Sequence, residues 1–287
     1  MDHRIIALYD DFVHGHFDRR RFLAEAARVL GSTAAASAAL PLLQSNYALA
    51  AVVAESDPRI DIQRVQFQGA TGMVKAYLAE PKAAGKHPGV VVIHQNRGLN
   101  PHIEDIARRL ATDGYAALAV DFLSPQGGTP ADEDAAMKMF STINADGAAG
   151  DARAAVTWLR GRPEANGKIG MVGFCWGGGI VNRVAVAEPT LDAGVVFYGS
   201  PPPSAEVARI KAPLLLNYAD PKLDSRIGAM LPEFEQALKA ANVRYQMHTY
   251  EGANHAFNDD TAGPRYDAAA AKLAWERTLE FFKQTLS

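Results

Sequence analysis

Apolar residues follow two patterns along the chain, and the first of them covers residues 62–79. Apolar and polar residues alternate in IQRVQFQ (62–68) and again in MVKAYLA (73–79), with Gly69 and Gly72 bounding the four residues between them. Such alternation is typical of a strand that buries one face, and a short glycine-containing connection joins antiparallel neighbours. The pattern therefore predicts a β-hairpin.

The second pattern consists of continuous apolar runs that alternate with amphipathic segments. The runs are residues 89–94, 115–122, 168–174, 193–199 and 212–219, and a further strand is predicted at 243–250. The segments predicted to be helical are 101–114, 151–161, 176–188, 231–241 and about 265–285. Strands that are apolar on both faces are buried in parallel sheets. The alternation predicts an α/β fold, a mostly parallel central sheet with helices on both faces, formed by one domain over residues 51–287.

Residues 1–50 have a different character. Residues 29–54 carry no charge, and the sequence RRRFL at 19–23, just upstream, resembles a twin-arginine export signal. Residues 48–50 (ALA) fit a signal-peptidase site, so we expect a periplasmic protein. Pro41 and the many alanines argue against a stable membrane span. The alternative is a helical arm that is retained on a cytoplasmic protein, and five acidic residues among the first 28 favour it.

Composition narrows the classes of function. A formal net charge of −3 at pH 7 leaves no basic surplus for binding nucleic acid. Cys175 is the single cysteine, which excludes an intramolecular disulfide and a cysteine-based structural zinc site. The glycine-rich GFCWGGG does not fit the dinucleotide fingerprint, and no H-E-x-x-H cluster is present, so neither a cofactor nor a metal is expected. We expect a small-molecule substrate, and the sequence leaves the oligomeric state open.

Cys175 lies in the sequence GFCWG, between a predicted strand and a predicted helix. This is the arrangement of a nucleophile elbow, with cysteine in place of serine. The flanking glycines are needed because a Cβ atom at either position would collide with the tight turn. A helix N-terminus also favours a thiolate. The alternative is a buried, unreactive cysteine beside a glycine-rich packing site.

Candidate partners of the nucleophile follow in the order acid, then base. Asp220 and Asp224 lie in the loop after the predicted strand 212–219, and His255 lies between the last predicted strand and the last helix. His255 is the natural general base, and its alternative is a solvated loop histidine. His248 lies inside a predicted strand and His94 ends one, so both are interpreted as structural. The other histidines, His14 among them, lie away from this group or upstream of it and receive no role.

These residues resemble the dienelactone hydrolases (carboxymethylenebutenolidases), a family of α/β-hydrolases with a Cys-Asp-His triad. The resemblance covers about residues 55–285 and rests on GFCWGGG, HQNRGLNPHIED, LDSRI and GANHAFNDD. It implies Cys175 as nucleophile, His255 as base and Asp224, preferred over Asp220, as the orienting acid. It also implies an oxyanion hole formed by the backbone N–H groups of Asn96 and Trp176.

The sequence departs from the family's pattern around the predicted pocket. Gln95 stands where the family usually has a glutamate that interacts with the resting nucleophile, so replacing Gln95 with Glu is expected to raise the thiol pKa. The arginines that bind a substrate carboxylate are also missing, and Asp259 and Asp260 are expected to repel an anionic substrate. Arg97 is a candidate substitute cation, or else a salt-bridge partner that fixes its loop.

The expected function is hydrolysis of carboxylic esters or lactones through an acyl-thioester on Cys175. Gln95, Arg97, Tyr198 and Phe257 are expected to contact the substrate, although the two aromatic residues also suit a core position. Two other classes stay open: a non-catalytic binding protein with an α/β-hydrolase fold, and a redox-sensing thiol protein. Turnover that depends on His255 distinguishes the hydrolase from both.

Overall fold

The computed structural model describes residues 1–47 and 51–287, so the predicted cleavage site at 48–50 lies outside the described residues. Eight strands form one sheet in the order β1-β2-β4-β3-β5-β6-β7-β8. Their bounds are β1 Ile60–Gln68, β2 Met73–Pro81, β3 His87–Ile93, β4 Ala116–Asp121, β5 Ala165–Phe174, β6 Ala193–Phe197, β7 Leu214–Tyr218 and β8 Tyr245–Thr249. The predicted hairpin is β1–β2, and each predicted apolar run forms a strand.

Strand direction determines where the functional loops meet. β1 and β2 pair antiparallel, as do β2 and β4, and the remaining pairs from β4 to β8 are parallel. The carboxyl ends of β3, β5, β7 and β8 therefore lie along one edge of the sheet. The loops that follow these strands carry the predicted site residues.

The chain forms ten α-helices within the described residues. They are α1 His3–Val13, α2 Arg19–Leu30, α3 Thr33–Leu43, α4 Pro101–Thr112, α5 Glu133–Phe140, α6 Ala145–Arg160, α7 Trp176–Ala187, α8 Ser225–Gly228, α9 Leu231–Ala240 and α10 Ala268–Leu286. Buried residues of α6, α7 and α9 belong to one hydrophobic cluster, and those of α4 and α10 to another. β3 contributes to both, Val91 to the first and Val90 to the second, because successive side chains of a strand point to opposite faces. The predicted α/β fold is confirmed.

The helices between β4 and β5 differ from the sequence-based prediction. α6 begins six residues earlier than predicted, because Asn144 caps it by accepting from the N–H groups of Asp146 and Gly147. Gly147 and Gly150 weaken the helical pattern there, yet both lie close against the β1–β2 turn, where a Cβ would meet Thr71 and Ala70. The sequence analysis also missed α5, an eight-residue helix capped by Asp132.

Helices α1 to α3 form an arm that packs on the domain. Ile5, Tyr9 and Phe22 are fully buried in a third hydrophobic cluster, which Met137 of α5 also contacts. Among the described residues, no single helix is both long and apolar enough to cross a bilayer. The pair α2 and α3 satisfies the length and composition criteria only together, with a 113° bend between the two helices.

Candidate active site

Cys175 lies in a sharp turn between the end of β5 and the start of α7. Its φ of 55° is in the left-handed region, which a non-glycine residue adopts only at some cost. A Cβ on Gly173 would come within 3.0 Å of the backbone of Gly177, and one on Gly177 within 3.0 Å of the carbonyl oxygens of Ile93 and His94. Both flanking glycines are therefore sterically required, and the thiol lies at the N-terminus of a twelve-residue helix.

His255 and Asp224 lie together beside this turn. The Nδ1–H of His255 donates to Asp224 Oδ2 over 2.7 Å, and both side chains are about 4% exposed. Asp224 is held in turn as the cap of α8, where it accepts from the N–H of Ile227. Asp220 instead accepts from the N–H groups of Lys222 and Gly252. The geometry thus pairs Asp224, and not Asp220, with the imidazole.

The arm brings a second imidazole to the thiol. His14 Nε2 lies 3.2 Å from Cys175 Sγ, and its ring stands nearly perpendicular to that of His255, with 5.0 Å between ring centroids. His14, which received no role from the sequence, is therefore a neighbour of the thiol, and that prediction is wrong. No local signal marks it, because 161 residues separate the two partners along the chain and the contact arises only when the arm packs on the domain.

The buried charges shift the pKa values of these groups. Burial opposes ionisation of the thiol, but His14 and His255 outweigh it and lower the pKa of Cys175 to about 5. Burial likewise opposes protonation of His255, yet Asp10, Asp224 and the thiolate raise its pKa well above the usual value. The pKa of His14 is raised in the same way, chiefly by Cys175 against the effect of burial. The arrangement favours a thiolate between two imidazolium groups.

The residues predicted to form the oxyanion hole lie on both sides of the elbow. Trp176 is the first residue of α7, so its backbone N–H has no carbonyl partner one turn earlier within the helix. Asn96 lies in the loop after β3, whose last residues contact the backbone of Gly177. The Asn96 side chain donates to the carbonyl oxygen of Val13, directly before His14. One loop therefore contacts both the elbow and the arm.

Gln95 and Arg97 are both held by neighbouring side chains. The amide of Gln95 donates to Asp259 Oδ2 over 2.9 Å. Arg97 is paired with Glu133 of α5 at 3.1 Å and donates to the hydroxyl of Tyr9 at 2.9 Å. Both side chains therefore hold their loop against the arm, α5 and the loop after His255. Of the two roles expected for Arg97, this structure shows the salt-bridge partner that fixes its loop.

Tyr198 packs against His255, and Phe257 packs against Tyr198. Both are essentially fully buried, the ring centroids of Tyr198 and His255 lie 4.9 Å apart, and Phe257 contacts Tyr198 at 5.4 Å. These aromatic residues therefore support the imidazole from the core side. Of the two positions that the sequence allowed for Tyr198 and Phe257, a substrate contact or the core, this placement is the core position.

Asp259 and Asp260 are neutralised by cationic partners. His102 of α4 lies 3.0 Å from Asp260 and 3.7 Å from Asp259, and Arg109 forms an ion pair with Asp260. Asp259 also accepts from the N–H and the hydroxyl of Thr261. The expected repulsion of an anionic substrate by these two carboxylates is therefore small, and their role is to fix the loop that carries His255.

A cleft of about 720 Å³ opens beside the elbow. It is lined by residues of the arm, by α5 and the residues after it, and by Asn96 and Trp176. Four of its fifteen lining residues are charged: Asp18, Arg19, Asp134 and Lys138. Seven are apolar: Phe12, Val13, Phe17, Met137, Phe140, Ile143 and Trp176. This volume is typical of a small-molecule site.

Among residues 1–47 and 51–287, three groups of side chains lie close enough to hold a metal ion, with candidate ligand atoms within 4.8 Å of one another. They are His14, Cys175 and His255; Asp10, Asp224 and His255; and His102, Asp259 and Asp260. The hydrogen bonds and ion pairs described above connect members of each group. These protein partners account for the clustering.

Comparisons with known proteins agree on one family. Residues 74–286 match the family model of the dienelactone hydrolase family. A protein of Escherichia coli O157:H7, described provisionally as a carboxymethylenebutenolidase, is 36% identical over 225 residues, which are 73% of this chain and 82% of that protein.

Solved structures give the same result. A provisionally described dienelactone hydrolase from Klebsiella pneumoniae is 30% identical, with a TM-score of 0.70 over 78% of this chain and 99% of that chain. A dienelactone hydrolase-like promiscuous phosphotriesterase from metagenomic libraries is 25% identical, with a TM-score of 0.68 over 80% of this chain and all of that chain. The matches agree in fold and in sequence.

Proposed function

The chain belongs to the dienelactone hydrolase family, and we propose that it hydrolyses carboxylic esters or lactones through a Cys175–His255–Asp224 triad and an acyl-thioester intermediate. The observation that carries the proposal is a thiol at a strained elbow whose pKa is lowered to about 5 beside the His255–Asp224 pair. A thiolate is the nucleophilic form of cysteine.

The reaction takes two steps. The Cys175 thiolate attacks the carbonyl carbon, and the backbone N–H groups of Asn96 and Trp176 stabilise the resulting oxyanion. Protonated His255 gives its proton to the departing alkoxide, which leaves a thioester on Cys175. His255 then takes a proton from water, and the hydroxide cleaves the thioester. Asp224 holds the imidazole in the tautomer that both steps require.

The cleft indicates the class of substrate. Seven of its lining residues are apolar, and its arginine and its lysine, Arg19 and Lys138, are exposed to solvent. The buried Arg97 is already occupied by Glu133 and Tyr9. A substrate carboxylate would have to displace these partners, at a cost in binding. We therefore expect uncharged esters or lactones with an apolar or aromatic group to be preferred over anionic dienelactones.

The test is a panel of aryl esters and lactones, assayed on the native protein and on Cys175→Ala. We expect hydrolysis by the native protein and a loss of about 10³-fold or more in the variant, whose fold is checked by circular dichroism. His255→Ala should lose turnover, whereas His248→Ala, on β8, serves as a matched control and should retain it. Most of the activity remaining in Cys175→Ala would refute the nucleophile. Absence of turnover on every substrate, with a thiol that still reacts, would favour the binding or redox alternatives.

A further inference from the structure

The arm delivers two ionisable side chains to the active site. Asp10 and His14 lie one helical turn apart at the end of α1. His14 faces Cys175, and Asp10 faces His255 and Asp224. His14 Nε2 is 3.2 Å from Cys175 Sγ, and a carboxylate oxygen of Asp10 lies within 4.8 Å of the nearest ligand atoms of His255 and Asp224. Asp10 Oδ1 is buried, with no hydrogen-bond partner among the described residues.

Hydrogen bonding fixes the orientation of His14. Its Nδ1–H donates to the carbonyl oxygen of Asp10 over 2.7 Å, which leaves Nε2 to face the thiol. The Asp10 carboxylate lies 3.5 Å from the same Nδ1. A base that is oriented through one ring nitrogen and contacts the nucleophile through the other has the arrangement required for proton transfer. His255 Nε2, by contrast, has no hydrogen-bond partner among the described residues.

The contact belongs to a well-packed interface. Tyr9 is fully buried, accepts a hydrogen bond from Arg97 and lies against the guanidinium of Arg265, 5.1 Å from its ring centroid. Val13 accepts from the side chain of Asn96, so the residue before His14 is fixed to the loop predicted to form the oxyanion hole. The arm is therefore anchored on both sides of His14.

We propose that His14 is a second catalytic base, which takes the proton of the Cys175 thiol and holds the thiolate, while Asp10 acts as its positioning residue. This assignment rests on the proposed function. It divides the proton transfers between two imidazoles, His14 for the nucleophile and His255 for the leaving group and water.

The transfers balance over one cycle. The S–H proton moves to His14 Nε2 once, before the first turnover, and stays there. Each cycle then begins and ends with the thiolate, whose electron pair forms the S–C bond. The C–O bond of the ester breaks, and the alkoxide takes the Nε2 proton of His255. Water then gives one proton back to His255, its oxygen bonds to the acyl carbon, and the C–S bond breaks to restore the thiolate. The products are one alcohol and one carboxylic acid.

The charges around the two imidazoles are matched. His14 faces Asp10 from its own helix, Cys175 from the elbow, His255 from the loop after β8, and Arg226 of α8, whose Nη2 lies 3.4 Å from Nε2. The nearest further imidazole is that of His16, at 6.4 Å between centroids. With both catalytic imidazoles protonated, two histidines and Arg226 balance the thiolate, Asp10 and Asp224. A neutral cluster lowers the cost of burying these charges.

The experiment measures the pH dependence of Cys175 alkylation by iodoacetamide in full-length His14→Gln. His16→Gln is the matched control, because His16 lies on the same arm and is half exposed. Removing the positive charge of His14 from beside the thiolate should raise the midpoint pH of alkylation by about 1–3 pH units. The acid limb of kcat/KM for p-nitrophenyl acetate should move with it, and His16→Gln should match the native protein.

Asp10→Asn, compared with Asp11→Asn at a half-exposed neighbouring position, provides a second test if His14→Gln fails to fold. Asp10→Asn should raise the midpoint pH of alkylation by less than His14→Gln does, and Asp11→Asn should leave the midpoint unchanged. Coinciding midpoints for His14→Gln and His16→Gln would overturn the proposal. So would faster hydrolysis by His14→Gln at an unchanged midpoint, which would make the arm a cover. The alkylation readout needs no turnover, so activity retained by Cys175→Ala would refute the proposed function separately.

Discussion

Replacing Gln95 with Glu would test the placement of this side chain directly. The Gln95 amide donates to Asp259 Oδ2 over 2.9 Å, and both side chains are less than a tenth exposed. A glutamate there would replace a hydrogen-bond donor by a second carboxylate. The substitution therefore places two buried negative charges about 3 Å apart.

The expected destabilisation follows from this distance. Two unit charges 3 Å apart repel by about 5.5 kcal/mol at an effective dielectric constant of about 20. This figure is an upper value, because His102, 3.7 Å from the other oxygen of Asp259, attracts the new carboxylate. Holding a glutamate protonated at pH 7 costs about 4 kcal/mol, which is less than this repulsion. The new carboxyl therefore takes up a proton and donates a hydrogen bond to Asp259. The loss of stability at pH 7 is thereby limited to about 4 kcal/mol, and at pH 5 the same protonation costs about 1 kcal/mol.

The pH dependence has a definite sign. In Gln95→Glu the folded protein binds a proton that the unfolded chain releases above pH 5, so the stability of the variant relative to the native protein falls as the pH rises. Urea unfolding at pH 5, 6 and 7 measures this difference, with Gln63→Glu on the exposed face of β1 as the matched control. A difference that does not change with pH, or one below about 1 kcal/mol at pH 7, would refute the reasoning.

The same variant tests the sequence-based expectation about the thiol. A protonated glutamate bound to Asp259 adds no charge near Cys175, so we expect the alkylation profile of Gln95→Glu to match that of the native protein. The sequence alone predicts a rise in the thiol pKa instead. A rise of about 0.5–1 pH unit would show that residue 95 turns toward the thiol.

Two further outcomes are expected. Since the pKa of Cys175 is lowered to about 5, kcat/KM should fall about tenfold for each pH unit below that pH. Above it kcat/KM should reach a plateau and fall again only on the alkaline side, where His255 loses the proton that the leaving group takes. An acid limb near the ordinary thiol value would contradict the thiolate assignment. If the signal at residues 19–23 is used, mass spectrometry of the periplasmic fraction should find a chain that begins near Ala51. The double variant Arg19→Lys, Arg20→Lys should accumulate the uncleaved precursor. The cleaved protein, which lacks His14, should have the same thiol pKa as the His14→Gln variant. Finding only full-length protein in the cytoplasm would refute export.

The sequence indicated the part of the site that lies close together along the chain. Gly173 and Gly177 flank Cys175 within five residues, and their steric requirement is local, so the elbow was readable from the sequence. Asp224 and His255 could be assigned as acid and base because the resembling family has its triad residues in this chain order and in these loops. The strand that ends at the elbow was also evident, because a run that is apolar on both faces has few other stable environments.

Tertiary packing decided the rest. Gln95 donates to Asp259, 164 residues away, and His14 reaches Cys175 across 161 residues, neither of which a local pattern encodes. Tyr9 and Phe22 contribute to an amphipathic pattern that fits a detached signal segment as well as a docked arm. What the sequence determined was the periodicity and the turn chemistry, since both act within a few residues. Only the folded chain decided which distant side chains meet the thiol, because that depends on how the arm, α5 and the loops after β3 and β8 pack against one another.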